Sequence, residues 1–191
     1  MTWLTDRQIK KMGFLRVGDN VLLSDKASYY NCKNITLGNN IRIDDFSVLS
    51  AGNGGIIIGN YVHIAIYSSL IGGGNINVGN FCNISSRVSI YSSTDDFSGA
   101  AMTNPMVPKE FTNVINSNVK IGPHVIIGSG SIILPGSVLE NGVAVGALSL
   151  IKEHCIAFGI YAGAPAKRIA MRSRHLLTLE QQLMKDLKTD L

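Results

Sequence analysis

An aliphatic residue recurs at every sixth position through most of this 191-residue chain. An amphipathic helix needs a period near 3.6 residues and a half-buried strand a period of 2, so a period of six fits neither. The repeated residues are Leu37, Ile43, Leu49, Ile58, Ile64, Leu70, Val78, Ile84, Ile90, Ile121, Ile127, Ile133, Leu139, Val145 and Ile151. Short repeats of fixed length are typical of solenoids, whose neighbouring coils bury one continuous core. The pattern therefore predicts a parallel β-helix in which three repeats, about 18 residues, form one triangular coil.

A second inward position keeps the same phase. Four residues after most of these aliphatics stands a small or compact side chain, and the set is Val62, Ser68, Cys82, Val88, Val125, Ser131, Ser137, Val143 and Ser149. A narrow triangular interior has room for one large side chain on each face and a small one near each corner. Two independent positions therefore predict the same all-β solenoid.

Composition and charge exclude several classes of protein. The net charge of +4 is modest, and no run of Lys and Arg interleaved with aromatic residues indicates nucleic-acid binding. The mean hydropathy of +0.21 is high, but no stretch of 18 apolar residues predicts a membrane span. The N-terminus lacks the pattern of a secretory signal. Three cysteines without metal-ligand spacing indicate reduced thiols, so we expect a cytoplasmic protein.

The period divides the chain into three parts. Residues 1–30 are predicted as an N-terminal cap with a short helix after Thr5, and residues 31–170 as the β-helix. The repeat stops between Ile90 and Ile121, which predicts an ordered loop excursion over 91–118. Residues 171–191 are predicted as a C-terminal α-helix, because leucines recur there at spacings of three and four.

Several coil motifs make the chain similar to a known family. They are Ile121-Gly122-Pro123-His124-Val125-Ile126-Ile127-Gly128-Ser129-Gly130-Ser131, Leu134-Pro135-Gly136-Ser137-Val138, Val145-Gly146-Ala147-Leu148-Ser149-Leu150-Ile151-Lys152 and Tyr161-Ala162-Gly163-Ala164-Pro165-Ala166-Lys167-Arg168-Ile169. Over residues 31 to 170 the sequence resembles the hexapeptide-repeat acyltransferases, which include galactoside, maltose and nucleotide-sugar acetyltransferases. The resemblance implies a left-handed β-helix and a homotrimer that binds acetyl-CoA between adjacent subunits.

The same resemblance implies a set of cofactor-binding residues. Small residues permit backbone groups to approach the pantetheine arm of CoA, and we expect that role for Gly128, Gly146, Ala147 and Ala164. Cations are expected near the phosphates of CoA, and Arg can bind phosphate through two parallel hydrogen bonds. The expected cations are Lys152, Lys167 and Arg168. An ordinary solvated charge is the alternative for each.

The expected catalytic base is missing. Where the resemblance places a histidine, just after the coil that precedes the long loop, this chain has Asp95. The remaining catalytic candidates are Asp95, Asp96 and His63, and a carboxylate beside His63 would raise its basicity. In a trimer His63 could approach a neighbouring subunit's Asp95. We expect His124 and Asn104 to contact substrate, although both histidines could instead be ordinary surface residues.

Acetyl transfer from acetyl-CoA to a sugar is the predicted activity, with a nucleotide-linked or surface-polysaccharide precursor sugar as acceptor. An amine needs less help from a base than a hydroxyl does, so an amino sugar would explain the missing histidine. Two alternatives stay open. One is a non-catalytic trimeric scaffold, and the other is a γ-type carbonic anhydrase. Zinc in that enzyme needs three histidines, and only His63 and His124 are well placed, so no metal is expected.

Overall fold

The chain forms a left-handed parallel β-helix, which confirms the predicted fold class. The structure, a computed structural model, describes residues 1–189. Its coils stack into three parallel sheets of seven, eight and six strands, with a two-stranded ladder in the long loop. We number the three large sheets 1, 2 and 3 in the order in which each coil visits them.

The strands are short because each spans one face of a triangular coil. The first three coils contain β1 (Arg16–Val17), β2 (Val21–Leu23), β3 (Ser28–Tyr30), β4 (Ile35–Leu37), β5 (Ile41–Ile43), β6 (Val48–Ala51), β7 (Ile56–Ile58), β8 (Val62–Ile64) and β9 (Ser69–Gly72). The fourth contains β10 (Ile76–Val78), β11 (Asn83–Ile84) and β12 (Ser89–Tyr91), and the loop adds β13 (Ser93–Thr94) and β14 (Ile115–Asn116). The last three contain β15 (Val119–Ile121), β16 (Ile126–Ile127), β17 (Ile132–Ile133), β18 (Val138–Leu139), β19 (Ala144–Val145), β20 (Leu150–Ile151), β21 (His154–Cys155), β22 (Gly159–Gly163) and β23 (Ala166–Met171).

Strand order follows the stacking of the coils. Sheet 1 runs β1-β4-β7-β10-β15-β18-β21, sheet 2 runs β2-β5-β8-β11-β16-β19-β22-β23, and sheet 3 runs β3-β6-β9-β12-β17-β20. Neighbours pair in parallel except β22 and β23, which form an antiparallel hairpin at the C-terminal end. Residues at equivalent points of successive coils therefore form straight rows along the solenoid.

The interior has the composition that the period predicts. All fifteen repeated aliphatic residues and all nine compact residues of the second set are buried. The buried serines satisfy their hydroxyls locally: Ser131 and Ser149 both donate to the carbonyl of Gly146. Cys82 is buried as an inward-facing residue, and burial raises the pKa of its thiol to about 12. A thiol in that state is inert, so its role is packing.

The coils begin earlier than the sequence pattern indicates. Strands β1, β2 and β3 extend all three sheets at Arg16 rather than at residue 31, and only residues 1–15 lie outside the coils as a cap. Val17, Leu23 and Tyr29 keep the six-residue spacing. The pattern is hard to see because the third member is aromatic and the next repeat begins eight residues later, at Leu37.

A helix lies near each end of the chain. Helix α1 (Asp6–Lys11) begins after Thr5, whose hydroxyl accepts from the Gln8 N–H in a capping box. Helix α2 (His175–Thr189) follows the β22–β23 hairpin, and residues 190 and 191 of the predicted C-terminal helix lie outside the described residues. Two 3₁₀ turns occupy Cys32–Asn34 and Lys109–Phe111. No helix among residues 1–189 is long and apolar enough to cross a membrane.

The long excursion is an ordered loop, as predicted. It leaves sheet 3 after β12 and returns to sheet 1 at β15, and β13 pairs with β14 at its base. Further out, the Met102 N–H donates to the carbonyl of Phe111 at 2.8 Å. The tip is strongly apolar yet open: Phe97 is 93% exposed and Met106 is 90% exposed.

Candidate active site

From the second coil onward, the residues at the ends of the sheet 2 strands form one continuous row, which we call the corner column. Its members are Asp44, Ala65, Ser85, Gly128, Gly146 and Ala162. The backbone N–H groups from Asp44 to Gly146 each donate to the carbonyl that ends the sheet 2 strand of the next coil. Adjacent coils are separated by about 4.8 Å, so Gly128 lies about 14 Å from Asp44 along the column. The column thus joins predicted CoA-binding residues to the first coils.

Two of the predicted CoA-binding residues lie in the middle of this column. A Cβ at Gly128 would lie 2.5 Å from the backbone nitrogen of Ala147, so coil stacking alone requires glycine there. The glycine at this position is therefore explained by the close packing of the next coil. Ala147 follows Gly146 at the same corner and is exposed.

The hairpin brings other predicted residues to the same end. The Gly163 N–H donates to the Ser149 hydroxyl at 3.1 Å, which holds the turn containing Ala164 against the corner. Lys167 pairs across the hairpin with Ala162, and Arg168 pairs with Tyr161, so two exposed cations flank the end of the column. Lys152 does not join this group, because it follows β20 at the corner between sheets 3 and 1, whereas the column lies at the corner between sheets 2 and 3.

His63 lies on the outward face of sheet 2, beside the first residue of the column. Its row neighbours are Arg42 on β5 and Asn83 on β11. Its Nε2 lies 2.9 Å from Oδ2 of Asp44, and its Nδ1 lies 3.0 Å from Oδ1 of Asn83. The imidazole is 38% exposed, whereas the Asp44 side chain is 8% exposed. A buried carboxylate therefore holds a partly open imidazole.

Asp44 is held in its ionised form. Burial raises the pKa of its carboxyl, but hydrogen bonds and charge from Arg42 and His63 outweigh burial and hold the pKa below its ordinary value. The Arg42 Nε donates to Oδ1 at 2.7 Å, and its guanidinium lies over the Trp3 ring at 5.5 Å. Asp44 was not predicted as the partner of His63. The two are 19 residues apart, about one coil, which is the signal that could have found it.

The acidic candidates of the loop lie elsewhere in the chain. Asp95 is exposed and immediately follows β13, at the corner between sheets 3 and 1. That corner is the vertex opposite sheet 2, so the structure does not bring Asp95 to His63 within one chain. Asp96 instead accepts from the backbone N–H groups of Ser98 and Ala101, and hydrogen bonds from Ser98 hold the pKa of its carboxyl below the usual range.

The two predicted substrate contacts are engaged within the chain. The His124 ring stacks on Phe81 with centroids 5.0 Å apart, and its Nε2 lies 2.8 Å from Oε2 of Glu180 in α2. Asn104 accepts from the Met106 N–H at 3.0 Å and so shapes the loop tip. These contacts explain both residues structurally, and their binding of substrate stays a prediction.

Residues 1–189 contain no group of three or more His, Cys, Asp or Glu side chains placed to hold a metal ion. The zinc site of a γ-type carbonic anhydrase needs three convergent histidines. His154 pairs instead with Glu140, at 2.8 Å on the outer surface of sheet 1. The histidines of the described chain are thus dispersed over separate faces.

Comparison with known proteins identifies close relatives. The chain is 57% identical, over 180 residues, to the dTDP-4-amino-4,6-dideoxy-D-glucose acyltransferase of Escherichia coli, and the match covers 94% of each chain. It is 30% identical over 183 residues to WbbJ of Escherichia coli, named for O-acetyl transfer in lipopolysaccharide biosynthesis, with 82% of this chain and 87% of WbbJ covered. No family model matches.

A solved structure agrees in fold and in sequence. AntD, an N-acyltransferase from Bacillus cereus, was solved with dTDP and 3-hydroxybutyryl-CoA. It is 46% identical with a TM-score of 0.92, and 97% of this chain and 98% of AntD are covered. A variant of AntD was also solved with dTDP-4-amino-4,6-dideoxyglucose and coenzyme A.

Proposed function

Because this chain belongs to the hexapeptide-repeat acyltransferases, we propose that it transfers an acyl group from acyl-CoA to the amino group of a dTDP-linked amino-deoxy sugar. The 57% identity to an acyltransferase named for that kind of acceptor carries the proposal. The complexes of AntD with dTDP-sugar and CoA ligands support both substrates. An acetyl group remains our proposed donor, with 3-hydroxybutyryl as the alternative that AntD suggests.

The corner column supports the placement of CoA. The pantetheine arm of CoA would follow the column from Gly146 and Gly128 toward Ser85. The phosphates of CoA would then lie near Lys167 and Arg168. Guanidinium and ammonium groups suit phosphate, and both side chains are exposed. The thioester end of the arm then points toward the coils that carry His63.

Amide formation needs an unprotonated amine. In the proposed reaction His63 accepts the proton that the sugar ammonium loses, and the amine nitrogen attacks the thioester carbon. The C–N bond forms, the C–S bond breaks, and the leaving CoA thiolate takes the second proton that the nitrogen loses, which gives the amide and the CoA thiol. Asp95 would contact the sugar from a neighbouring subunit of a homotrimer. All three cysteines are free, which supports the cytoplasm as the proposed place of action.

A matched pair of acceptors tests the proposal. dTDP-4-amino-4,6-dideoxyglucose and the same dTDP-sugar with a hydroxyl at the amino position should be assayed by thiol release from acetyl-CoA and from 3-hydroxybutyryl-CoA. We expect the amine to react with a kcat/KM at least 10²-fold higher, because a neutral amine is the stronger nucleophile. Faster transfer to the hydroxyl would favour O-acylation, as the name of WbbJ suggests. No thiol release with any acceptor would favour the scaffold.

A further inference from the structure

We propose that Asp44 is a positioning residue for His63, so that Nδ1 of His63 is the nitrogen that takes the acceptor's proton. This inference rests on the proposed function. The sequence offered Asp95 as the orienting carboxylate, but Asp95 lies at the vertex opposite sheet 2. Asp44 is on the same chain, in contact with the ring.

The contacts determine which nitrogen is free to act. Asp44 is an ionised carboxylate that only accepts, so Nε2 of His63 at 2.9 Å carries the proton between them. The remaining nitrogen, Nδ1, faces the carboxamide of Asn83 at 3.0 Å. When the ring is neutral, the NH₂ of that carboxamide donates to Nδ1, and when it is charged, Nδ1 donates to the carboxamide oxygen. Asn83 can therefore serve both protonation states by a half-turn.

Asp44 is itself held by groups outside the ring. Arg42 binds its other oxygen at 2.7 Å, and Trp3 supports the guanidinium from the N-terminal segment. The neighbouring carboxylate, Asp45, instead accepts from the Ser24 hydroxyl and lies 3.8 Å from Lys26. The charged groups facing His63 from the adjacent strands are thus Arg42 and Asp44. On the other side of His63, Asn83 and the next residue of the same row, Ile126, are uncharged.

The position of this group along the fold fits the chemistry. Asp44 is the acidic member of the corner column, and the column leads from it through Ala65 and Ser85 to Gly128. An acyl-CoA lying along the column from its C-terminal end would bring the thioester toward Nδ1. In the reaction the sugar ammonium displaces the Asn83 contact and gives one proton to Nδ1. Asp44 keeps the proton on Nε2 and stabilises the imidazolium that forms.

The first experiment reads the ring directly and needs no substrate. The ¹⁵N resonances of His63 in the intact protein, measured with the ring neutral, should show Nε2 protonated and Nδ1 bare. In Asp44→Asn this preference should disappear, whereas in the control Asp45→Asn it should persist. A wild-type protein with Nδ1 protonated and Nε2 bare would overturn the proposal, and that observation does not depend on any variant folding.

The second experiment measures transfer to the amino sugar as a function of pH. We expect Asp44→Asn to lower kcat by about 10²-fold with little change in the KM for acyl-CoA, as the loss of base assistance does. The acidic limb of its kcat/KM profile should move to lower pH, and Asp44→Glu should recover part of the activity. An unchanged pH profile in Asp44→Asn would show a merely structural carboxylate.

The two experiments separate this inference from the proposed function. If His63→Ala retains full amine transfer while the ring resonances show the Asp44-bound tautomer, the acyltransferase stands, but the inference fails because His63 is not the base. If no acceptor is acylated by any variant or by the wild type, the proposed function fails instead. Asp45→Asn, which alters a carboxylate one residue away, should match the wild type in both experiments.

Discussion

Two buried polar atoms lack a hydrogen-bond partner within residues 1–189, and each can be traced to one local cause. The Tyr29 hydroxyl is one of them. Its ring fills the interior of the first coil and packs edge-on against Phe14 at 5.7 Å. Burial raises the pKa of this phenol, so it stays neutral and contributes only the cost of desolvation.

Tyr29→Phe should therefore leave the free energy of unfolding unchanged or raise it by up to about 1 kcal/mol. Tyr161→Phe is the matched change, because the Tyr161 hydroxyl accepts from the Ile156 N–H at 2.9 Å. That variant should lose about 1 kcal/mol, since it leaves a partly buried donor unpaired. Urea unfolding of both variants checks the pair. Equal losses in the two proteins would mean that the Tyr29 hydroxyl has a partner.

Asp44 gives the stability a dependence on acid. The folded pKa of its carboxyl is depressed, so its contribution is complete above the unfolded value, near pH 4, and is lost as pH falls through the folded value. Asp44→Asn should lower the free energy of unfolding by about 2 kcal/mol at pH 7. The difference from the wild type should shrink progressively below pH 4, as followed by urea unfolding. Asp19→Asn, an exposed change, should show neither effect.

At the scale of the element, asparagine side chains tie one coil to the next. Asn39 accepts from the Asp19 N–H, Asn60 from the Asn39 N–H, and Asn80 from the Asn60 N–H, each at 2.8 Å. The equivalent residue of the fifth coil is Pro123, which has no N–H to donate. Asn141, one coil further, is consequently left with a buried and unpaired Oδ1.

This ladder predicts opposite results for one substitution at two equivalent positions. Asn60→Ala should lower the free energy of unfolding by about 1 kcal/mol, because it removes the partner of the Asn39 N–H. Asn141→Ala should cost much less or stabilise, because it removes an acceptor that binds nothing in the described chain. Thermal unfolding of the two variants decides the matter. A larger loss at Asn141 would show that the break at Pro123 is bridged by another group.

The six-residue spacing predicts which residues face inward better than it predicts which residues of neighbouring coils lie side by side. Three hexads make about 18 residues, yet Arg42 pairs with position 63, because glycine-rich turns such as Asn53-Gly54-Gly55 lengthen the corners. The inward residues could be predicted because each depends only on its own repeat. The Asp44–His63 contact spans a whole coil, so its 19-residue separation points to the neighbouring coil, but the variable corners keep the hexads alone from predicting the exact partner. The same reasoning explains why Gly128 was predicted beside the ligand, while its tightest neighbour is Ala147 of the next coil.

At the scale of the whole molecule, we expect the loop tip to take part in the assembly of a homotrimer. Phe97 and Met106 are almost fully exposed, and clustered exposed apolar side chains such as these often mark a contact surface. Light scattering should return a mass about three times the 20.5 kDa chain. Phe97→Ser with Met106→Ser should shift the mass toward one chain while the far-ultraviolet spectrum stays unchanged. Leu15→Ser, 68% exposed at the opposite end, is the control and should remain assembled.

A shared site makes the assembly testable through activity. Asp95 lies at the corner opposite sheet 2, and His63 lies on sheet 2. A site that contains both residues therefore takes them from different chains. His63→Ala and Asp95→Asn trimers should each be nearly inactive. The two variants are then mixed and allowed to exchange subunits. An interface carries both wild-type residues when its His63 comes from the Asp95→Asn chain and its Asp95 comes from the His63→Ala chain. In a random mixture that is about a quarter of all interfaces, so we expect up to about a quarter of wild-type activity.

Two controls give the complementation its meaning. Subunit exchange must be demonstrated with differently tagged chains, because unmixed trimers would remain inactive for a trivial reason. A mixture of His63→Ala with the double variant that carries both changes should recover nothing, since no chain in it supplies His63. Activity in that mixture would remove His63 from the reaction. If exchange is complete and the first mixture recovers no activity, either both residues act from one chain or one of them lies outside the site. The loop would then serve assembly alone.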